Sequence, residues 1–237
     1  MKVQLMLTCL CDAYFGEVGI AAVKVLQAAG CDVAFPEAQT CCGQPPFNSG
    51  DWAASRRIAE HCLSVFDPSI PIVTPSGSCA AMLREGYPLL WPRHDHVECY
   101  EVGEFLVQRL GIQEFQPPAA SQNPSIRVAF HRACHGRALG LTDEQERLVG
   151  ALPHVDLVSF AQAEQCCGFG GAFAATHGKL SSGIGREKLT QVIAAGAEVL
   201  TSGDMGCLMH LDGLIQREKL PLKTVHYLQL LAEGVSE

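Results

Sequence analysis

Two copies of one tripeptide, Cys41-Cys42-Gly43 and Cys166-Cys167-Gly168, sit inside the same larger frame. A lone cysteine stands 32 positions before each copy: Cys9 before Cys41, and Cys134 before Cys166. Another lone cysteine follows each copy, just after a Ser-Gly stretch: Cys79 in Ser76-Gly77-Ser78-Cys79, and Cys207 in Ser202-Gly203-Asp204-Met205-Gly206-Cys207. Positions 9, 41 and 42 recur at 134, 166 and 167, a shift of 125 each time; 79 recurs at 207, a shift of 128. Unrelated cysteines do not keep such a register. The frame implies a duplicated unit in which each copy gathers four thiols from three separated segments. Four gathered thiolates are the donor set of a metal ion or an iron–sulfur cluster.

Two neighbouring thiols cannot face one ligand from a regular strand or helix, so each Cys-Cys pair implies a turn. Gly43 and Gly168 permit positive φ and close backbone approach, and Gly170 and Gly171 extend this freedom in the second copy. Such a turn wraps both thiolates around a cluster and offers backbone N–H groups to its sulfurs. Those hydrogen bonds, with net charge and solvent access, set a cluster's potential.

The other cysteines read differently. Cys31 and Cys62 lie on apolar faces, and with Cys99 they read as buried structural thiols. Cys11 has no counterpart in the second copy, where Gly136 stands, and is at most a spare ligand. Zinc knuckles and thioredoxin-like redox motifs both use Cys-x-x-Cys, which occurs nowhere in the chain. Zinc at one of the sites stays open on this reading.

Histidines cluster around the second frame. His131 and His210 each lie three residues from a frame cysteine, and His135 follows Cys134 directly. Each can ligate, donate to a cluster or carry a proton near neutral pH. Four cysteines already complete a site, so these histidines, with Gly43 and Gly168, read as neighbours of the ligands. Arg132 and Arg137 are candidates to offset a cluster's charge or hold a carboxylate, or are solvated surface arginines.

The rest of the chain must position these groups. Of its 237 residues 48% are hydrophobic, enough for a sizeable core, and the net charge is −8 with no long basic run. Nucleic acid and anionic membranes are therefore poor partners. The opening apolar run, Val3–Leu7, is too short for a signal segment, and no window approaches the roughly 18 apolar residues of a membrane span. The expectation is a cytoplasmic protein, whose thiols stay reduced and free to bind metal. No Gly-x-Gly-x-x-Gly fingerprint opens a strand–helix unit, so no bound flavin or nicotinamide is expected.

Apolar runs at Val3–Leu7, Cys31–Phe35, Ile70–Thr74, Arg127–Phe130, Val155–Phe160, Glu198–Thr201 and Lys223–Val225 read as strands. Helical spacing is seen over Glu17–Ala29, from Asp51 through Phe66, over Val102–Leu110, Ile184–Ala195 and Leu228–Ala232. Asp51 reads as an N-cap, Gly30 as a C-terminal cap, and Thr142 with Gln145 as a capping box. The alternation predicts an α/β protein built from two pseudo-symmetric parallel-sheet units related by duplication. The first unit is placed at residues 1–112 and the second at 126–237, with a proline-bearing linker at 113–125. Every frame cysteine falls just after a predicted strand, and ligands of parallel sheets sit outside the strands' carboxyl ends.

The duplicated frame resembles the cysteine-rich CCG domain, found in heterodisulfide reductase and in the iron–sulfur subunit of glycolate oxidase. Chain length, Phe35-Pro36-Glu37, Cys41-Cys42-Gly43-Gln44-Pro45 and Cys166-Cys167-Gly168-Phe169-Gly170-Gly171 are most similar to the lactate utilisation protein A family. The resemblance implies an iron–sulfur electron-transfer subunit of a multi-protein system that oxidises L-lactate to pyruvate without a nicotinamide. Its partners would be other iron–sulfur subunits. The resemblance also leaves open a thiol/disulfide redox subunit like that of heterodisulfide reductase. From another class, the frame alone allows a zinc-stabilised scaffold without redox work. The family pattern ends in Cys-x-x-Cys, whereas here the last cysteine is replaced by Met82, three residues after Cys79, and by His210, three after Cys207. That departure favours an ordinary 4Fe–4S cluster in each half, held by Cys9, Cys41, Cys42 and Cys79 and by Cys134, Cys166, Cys167 and Cys207.

Overall fold

A computed structural model of the chain describes residues 1–91, 97–115, 124–233 and 235. Among the described residues, eight strands form two sheets of four, all parallel. The first holds β1 (Lys2–Leu5), β2 (Asp32–Ala34), β3 (Ile72–Thr74) and β4 (Cys99–Glu101) in the order β2-β1-β3-β4. The second holds β5 (Ile126–His131), β6 (Val155–Leu157), β7 (Val199–Ser202) and β8 (Lys223–His226) in the order β6-β5-β7-β8. The two orders are the same once the strands are renumbered, as the duplication requires. Parallel neighbours need crossovers, and the helices between strands supply them. The linker expected at 113–125 falls largely on residues 116–123, which lie outside the described residues.

Local chemistry explains most boundaries. The helix Gly16–Ala28 buries Val18, Ala22, Val25 and Leu26 on one face and stops before Gly30, whose φ is +81°. Asp51 caps Trp52–Val65 by accepting from the Ala54 N–H at 2.9 Å. The capping box expected at Thr142 is not formed. Glu144 instead turns its carboxylate back onto the N–H groups of Thr142 and Asp143, at 2.7 and 3.1 Å. Gln145 is drawn away to Glu101 in the other half. Capping boxes occur instead at Glu101 with Glu104 and at His226 with Gln229. These two pairs are themselves 125 residues apart. Beyond Glu104 the predicted helix widens into a π turn, Phe105–Arg109, which buries Phe105, Leu106 and Val107.

The halves share a core. Val3 and Leu5 of β1, Val128 and Phe130 of β5, and Phe105, Leu148 and Tyr227 belong to one buried cluster. Gly16–Ala28 packs on Tyr227–Ala232 across the seam. At the strands' carboxyl ends the contacts are reciprocal. The helix Cys9–Tyr14 meets Met205–Glu218, and Gly77–Ala81 meets Cys134–Ala138. Each of these four helices carries one lone frame cysteine, so the packing of the halves brings the two frames face to face.

Candidate metal centre

The lone cysteines are placed by helix starts. Thr8 accepts from the Cys11 N–H at 3.2 Å, which makes Cys9 the first residue of its helix; Cys134 opens its own helix after β5. Ser76 accepts from the Cys79 N–H at 3.3 Å. Asp204 accepts from the Gly206 N–H at 3.1 Å. The Cys-Cys pairs follow β2 and β6 in turns made by Gly43 and Gly168, with φ of +86° and +94°. A side chain at Gly168 would drive its Cβ into the Ser181 carbonyl oxygen; at Gly43 the Cβ would stand 3.3 Å from the Ser55 carbonyl oxygen. The turns aim backbone donors at sulfur: Gly43 N–H at Cys41 Sγ (3.4 Å), Gly168 N–H at Cys166 Sγ (3.3 Å) and Phe169 N–H at Cys167 Sγ (3.5 Å).

All eight frame thiols line one cavity of about 200 Å³ between the halves. In the first half Cys9 Sγ lies 3.7 Å from Cys41 Sγ, and Cys42 interacts as a free thiol with both Cys41 and Cys79. In the second, the free thiol of Cys166 interacts with that of Cys167, whose sulfur is 2.9 Å from that of Cys207. Cys134 Sγ stands at the exposed side of this group, 3.8 Å from His135 Nδ1. Cys11 is buried elsewhere, among Val18, Met205 and Leu208. Cys31, Cys62 and Cys99 are also core residues.

Residues of both halves close the cavity. Gln44 donates to the Ser78 carbonyl at 3.0 Å and its Nε2 lies 3.4 Å from His135 Nε2. Asp204 accepts the Ser78 N–H at 3.0 Å across the seam. Neither Gln44 nor Asp204 is singled out by the cysteine frame. The nearest signal is that Asp204 stands in the same Ser-Gly context as Ser78. A second cavity of about 170 Å³ also reaches Cys9 and Cys41, with Phe35, Asp12 and Glu37 in its wall.

The histidines separate. His131, 1% exposed, has a ring nitrogen within 4.8 Å of both Cys167 Sγ and Cys207 Sγ. Burial, with the nearby Lys188 charge, holds its pKa down to about 3, so the ring is neutral. His135 lines the cavity, whereas His210 lies behind the turn, its Nε2 3.5 Å from Ser181 Oγ. Met82, at the position matching His210, is buried with Cys42 and Cys79. Arg132 is engaged by Glu146 at 2.6 Å and Glu164 at 3.4 Å, and Arg137 donates to the Glu164 carbonyl at 2.8 Å. They form an ion-pair network beside the cavity.

Lys188 is a group that the cysteine frame does not reveal. It is 1% exposed, donates to the carbonyls of Gln162 and Ala163 at 3.1 and 3.3 Å, and stands 5.3 Å from the centre of the Phe160 ring. Burial lowers its pKa to about 8, against the opposing pull of Cys167, Cys207 and Cys166. Position 188 follows Ser181 and Gly185 on the buried stripe of its helix, which is the signal that it points inward.

The donor set suits a soft or borderline metal or an iron–sulfur cluster. Hydrogen bonds from Cys42 and Cys9, with the Gly43 N–H, bring the Cys41 pKa down to about 3. Cys9 and Cys42 are pushed well above the usual thiol range, chiefly by their bonds to Cys41. Cys166 is pushed up in the same way by Cys167. Crowded thiols of this kind need a bound cation to shed their protons together. The residues therefore fit a metal or cluster in both halves, and the space, the thiols and the backbone donors are all present.

Comparison with known proteins agrees with this geometry. The cysteine-rich (CCG) domain model matches residues 3–84 and 128–212. Lactate utilization protein A 2 of Bacillus cereus is 35% identical over 247 residues, covering 100% of both chains. Lactate utilization protein A of Oceanobacillus iheyensis is 37% identical over 241 residues, covering 98% of this chain and 96% of that one. A hypothetical protein from Helicobacter pylori has a similar crystal structure, with a TM-score of 0.54 at 9% identity over 100% of this chain. The chain spans about half (49%) of that protein's length, and the likeness is one of fold alone.

Proposed function

Since the chain belongs to the CCG cysteine-rich domain family, among the lactate utilization protein A proteins, we propose that it is an iron–sulfur electron-transfer subunit of an oxidoreductase system. The observation that carries the reading is the convergence of eight thiols, from six separate segments, on one cavity. In this proposal Cys9, Cys41, Cys42 and Cys79 hold one cluster, and Cys134, Cys166, Cys167 and Cys207 hold another. Bound iron–sulfur clusters would supply one-electron acceptors and donors at potentials the protein tunes.

The chain's own residues do the rest. The Gly43, Gly168 and Phe169 N–H groups stabilise negative sulfur. Gln44, against His135, and Asp204, accepting the Ser78 N–H, tie the halves together so that the frames keep their spacing. The lactate role comes from the names of the relatives. Oxidation of L-lactate to pyruvate releases two electrons and two protons, and we assign this chain to passing the electrons on to other iron–sulfur subunits of the same system in the cytoplasm. Among the described residues no helix is long and apolar enough to cross a membrane.

The test is the metal content of protein purified without oxygen, followed by assay with its partner subunits. Iron and acid-labile sulfide in near-equal amounts, with lactate-dependent reduction of the chain's chromophore, support the reading. A colourless protein holding zinc alone would sink it in favour of the scaffold. Iron–sulfur protein reduced by thiols but never by the lactate system would favour the thiol/disulfide reading.

A further inference from the structure

We infer that the second cysteine set is a mixed imidazole–thiolate site, in which His131 is a direct metal ligand beside Cys167 and Cys207, while the first set is all-sulfur. The inference rests on the reading of the second set as a metal site and deepens it.

Three observations carry it. A ring nitrogen of His131 and the sulfurs of Cys167 and Cys207 lie within 4.8 Å of one another, a spacing that one metal atom can bridge. His131 Nδ1 lies 3.3 Å from the Ala163 carbonyl, an acceptor, so the ring donates there and its proton is fixed on Nδ1. Nε2 is then left as a lone pair. It is fully buried and has no hydrogen-bond partner. A buried nitrogen without a partner is costly unless something binds it. A histidine that ligates metal through one nitrogen while donating the other N–H to a carbonyl is the usual arrangement at such sites.

The first half shows what the position looks like without this ligand. The 125-residue shift places Met6 opposite His131. Met6 is fully buried in the same cluster as Cys42 and Cys79, the counterparts of Cys167 and Cys207. Each half therefore places one side chain at the carboxyl end of its first strand in the buried surround of the corresponding thiols, a thioether in one and an imidazole in the other. A neutral imidazole adds a nitrogen donor without adding negative charge, so the two sets would differ in their ligands.

The probe is cobalt(II), added without oxygen to the reduced, metal-free full chain with its histidines labelled with ¹⁵N. Pulsed electron paramagnetic resonance then reads ¹⁵N coupling to the bound metal. Expected is a ¹⁵N coupling in the wild type and in His210→Gln, lost in His131→Gln. His131→Cys keeps a ligand at the position: it should bind as many cobalt ions as the wild type, with stronger thiolate-to-metal absorption and no ¹⁵N coupling. Absence of coupling in the wild type, or its survival in His131→Gln or His131→Cys, would overturn the inference. Iron and sulfide content, measured separately, decides the electron-transfer reading. Nitrogen-coupled cobalt in a chain that never takes up iron and sulfide would leave the mixed site standing and that reading lost.

Discussion

The hydroxyl of Tyr227 donates a 2.6 Å hydrogen bond to Oε1 of Glu101, and both groups are buried at the seam between the halves. Glu101 also caps its own helix by accepting the N–H of Gly103 at 2.7 Å. Burial raises its pKa to about 7 in spite of these bonds. The carboxyl is protonated more readily in the folded chain than in the unfolded one. Its contribution is therefore fully present below the unfolded value near 4.5 and is lost as pH rises through 7. The loss is on the order of 3 kcal/mol for a buried group so displaced. Glu101→Gln should remove that slope: urea midpoints of variant and wild type should converge at pH 5 and diverge at pH 8 in the variant's favour. Parallel profiles would show that Glu101 does not titrate over this range. His226, lowered to about 3 by burial, acts in the opposite sense, losing stability as pH falls below about 6.5, and cancels in this comparison.

Tyr227→Phe removes one donor from the same carboxyl and leaves the ring in place. A cost of about 1–3 kcal/mol is expected, the range for a buried acceptor losing its partner. Chemical denaturation at pH 7 measures it. An unchanged midpoint would mean that Gln145 takes over the bond.

The two glycine turns differ in a way that substitution exposes. Alanine at either Gly43 or Gly168 must adopt positive φ, a cost of about 1 kcal/mol or more. At Gly168 the added Cβ also collides with the Ser181 carbonyl, whereas at Gly43 it stands 3.3 Å from that of Ser55. Gly168→Ala should therefore be the more destabilising of the two and should lose metal from its half first. Thermal melts and metal analysis of both variants decide, and a larger loss from Gly43→Ala would contradict the geometry.

Much of this was legible in the residues. The strands and the cysteines after them were readable because parallel strands are short apolar runs and the thiol frame repeats. β4 was missed because Cys99, Tyr100 and the buried acid Glu101 make no apolar run of the kind that marks the other strands. The helix Met205–Glu218 was missed because it starts inside a Ser-Gly stretch that reads as a turn. The cavity shared by all eight thiols was out of reach for a different reason. A repeat fixes what each half gathers, whereas the packing of Val3, Val128 and Tyr227 fixes how the halves meet. Lys188 has the identity of a surface residue and the position of a core one, and composition alone favours the surface.

Lys188 tests the electrostatics of the second set. Its buried ammonium acts on Cys166, Cys167 and Cys207, and the equivalent stretch of the first half holds the neutral thiol of Cys62. A fixed positive charge favours the reduced, more negative state of any cluster held there. Lys188→Met should lower the potential of the second centre and leave the first unchanged. Each 1.4 kcal/mol of lost stabilisation corresponds to about 59 mV in a one-electron couple. Redox titration of the chain reconstituted with iron and sulfide reads both centres. A shift of both, or of neither, would remove Lys188 as the source of the difference.

The same asymmetry predicts unequal loss when one thiol is removed from each frame. The second set has His135 and Lys188 beside it and two exposed thiols, Cys134 and Cys166, where the first has one, Cys9. The first is backed by Met6, Met82 and Cys62 in an apolar cluster. Polar, protonatable surroundings with solvent access suit a centre that exchanges electrons together with protons or meets a partner. Apolar surroundings suit a relay. Cys166→Ser should therefore cost more turnover than Cys41→Ser in the reconstituted system, by about tenfold if the second centre carries the exchange, a difference of about 1.4 kcal/mol in barrier. Cluster content of each variant is measured alongside, so that loss of metal is not mistaken for loss of reactivity. Equal losses at equal cluster content would make the two centres equivalent, and a greater loss from Cys41→Ser would place the exchange in the first half, next to the cavity walled by Asp12 and Glu37.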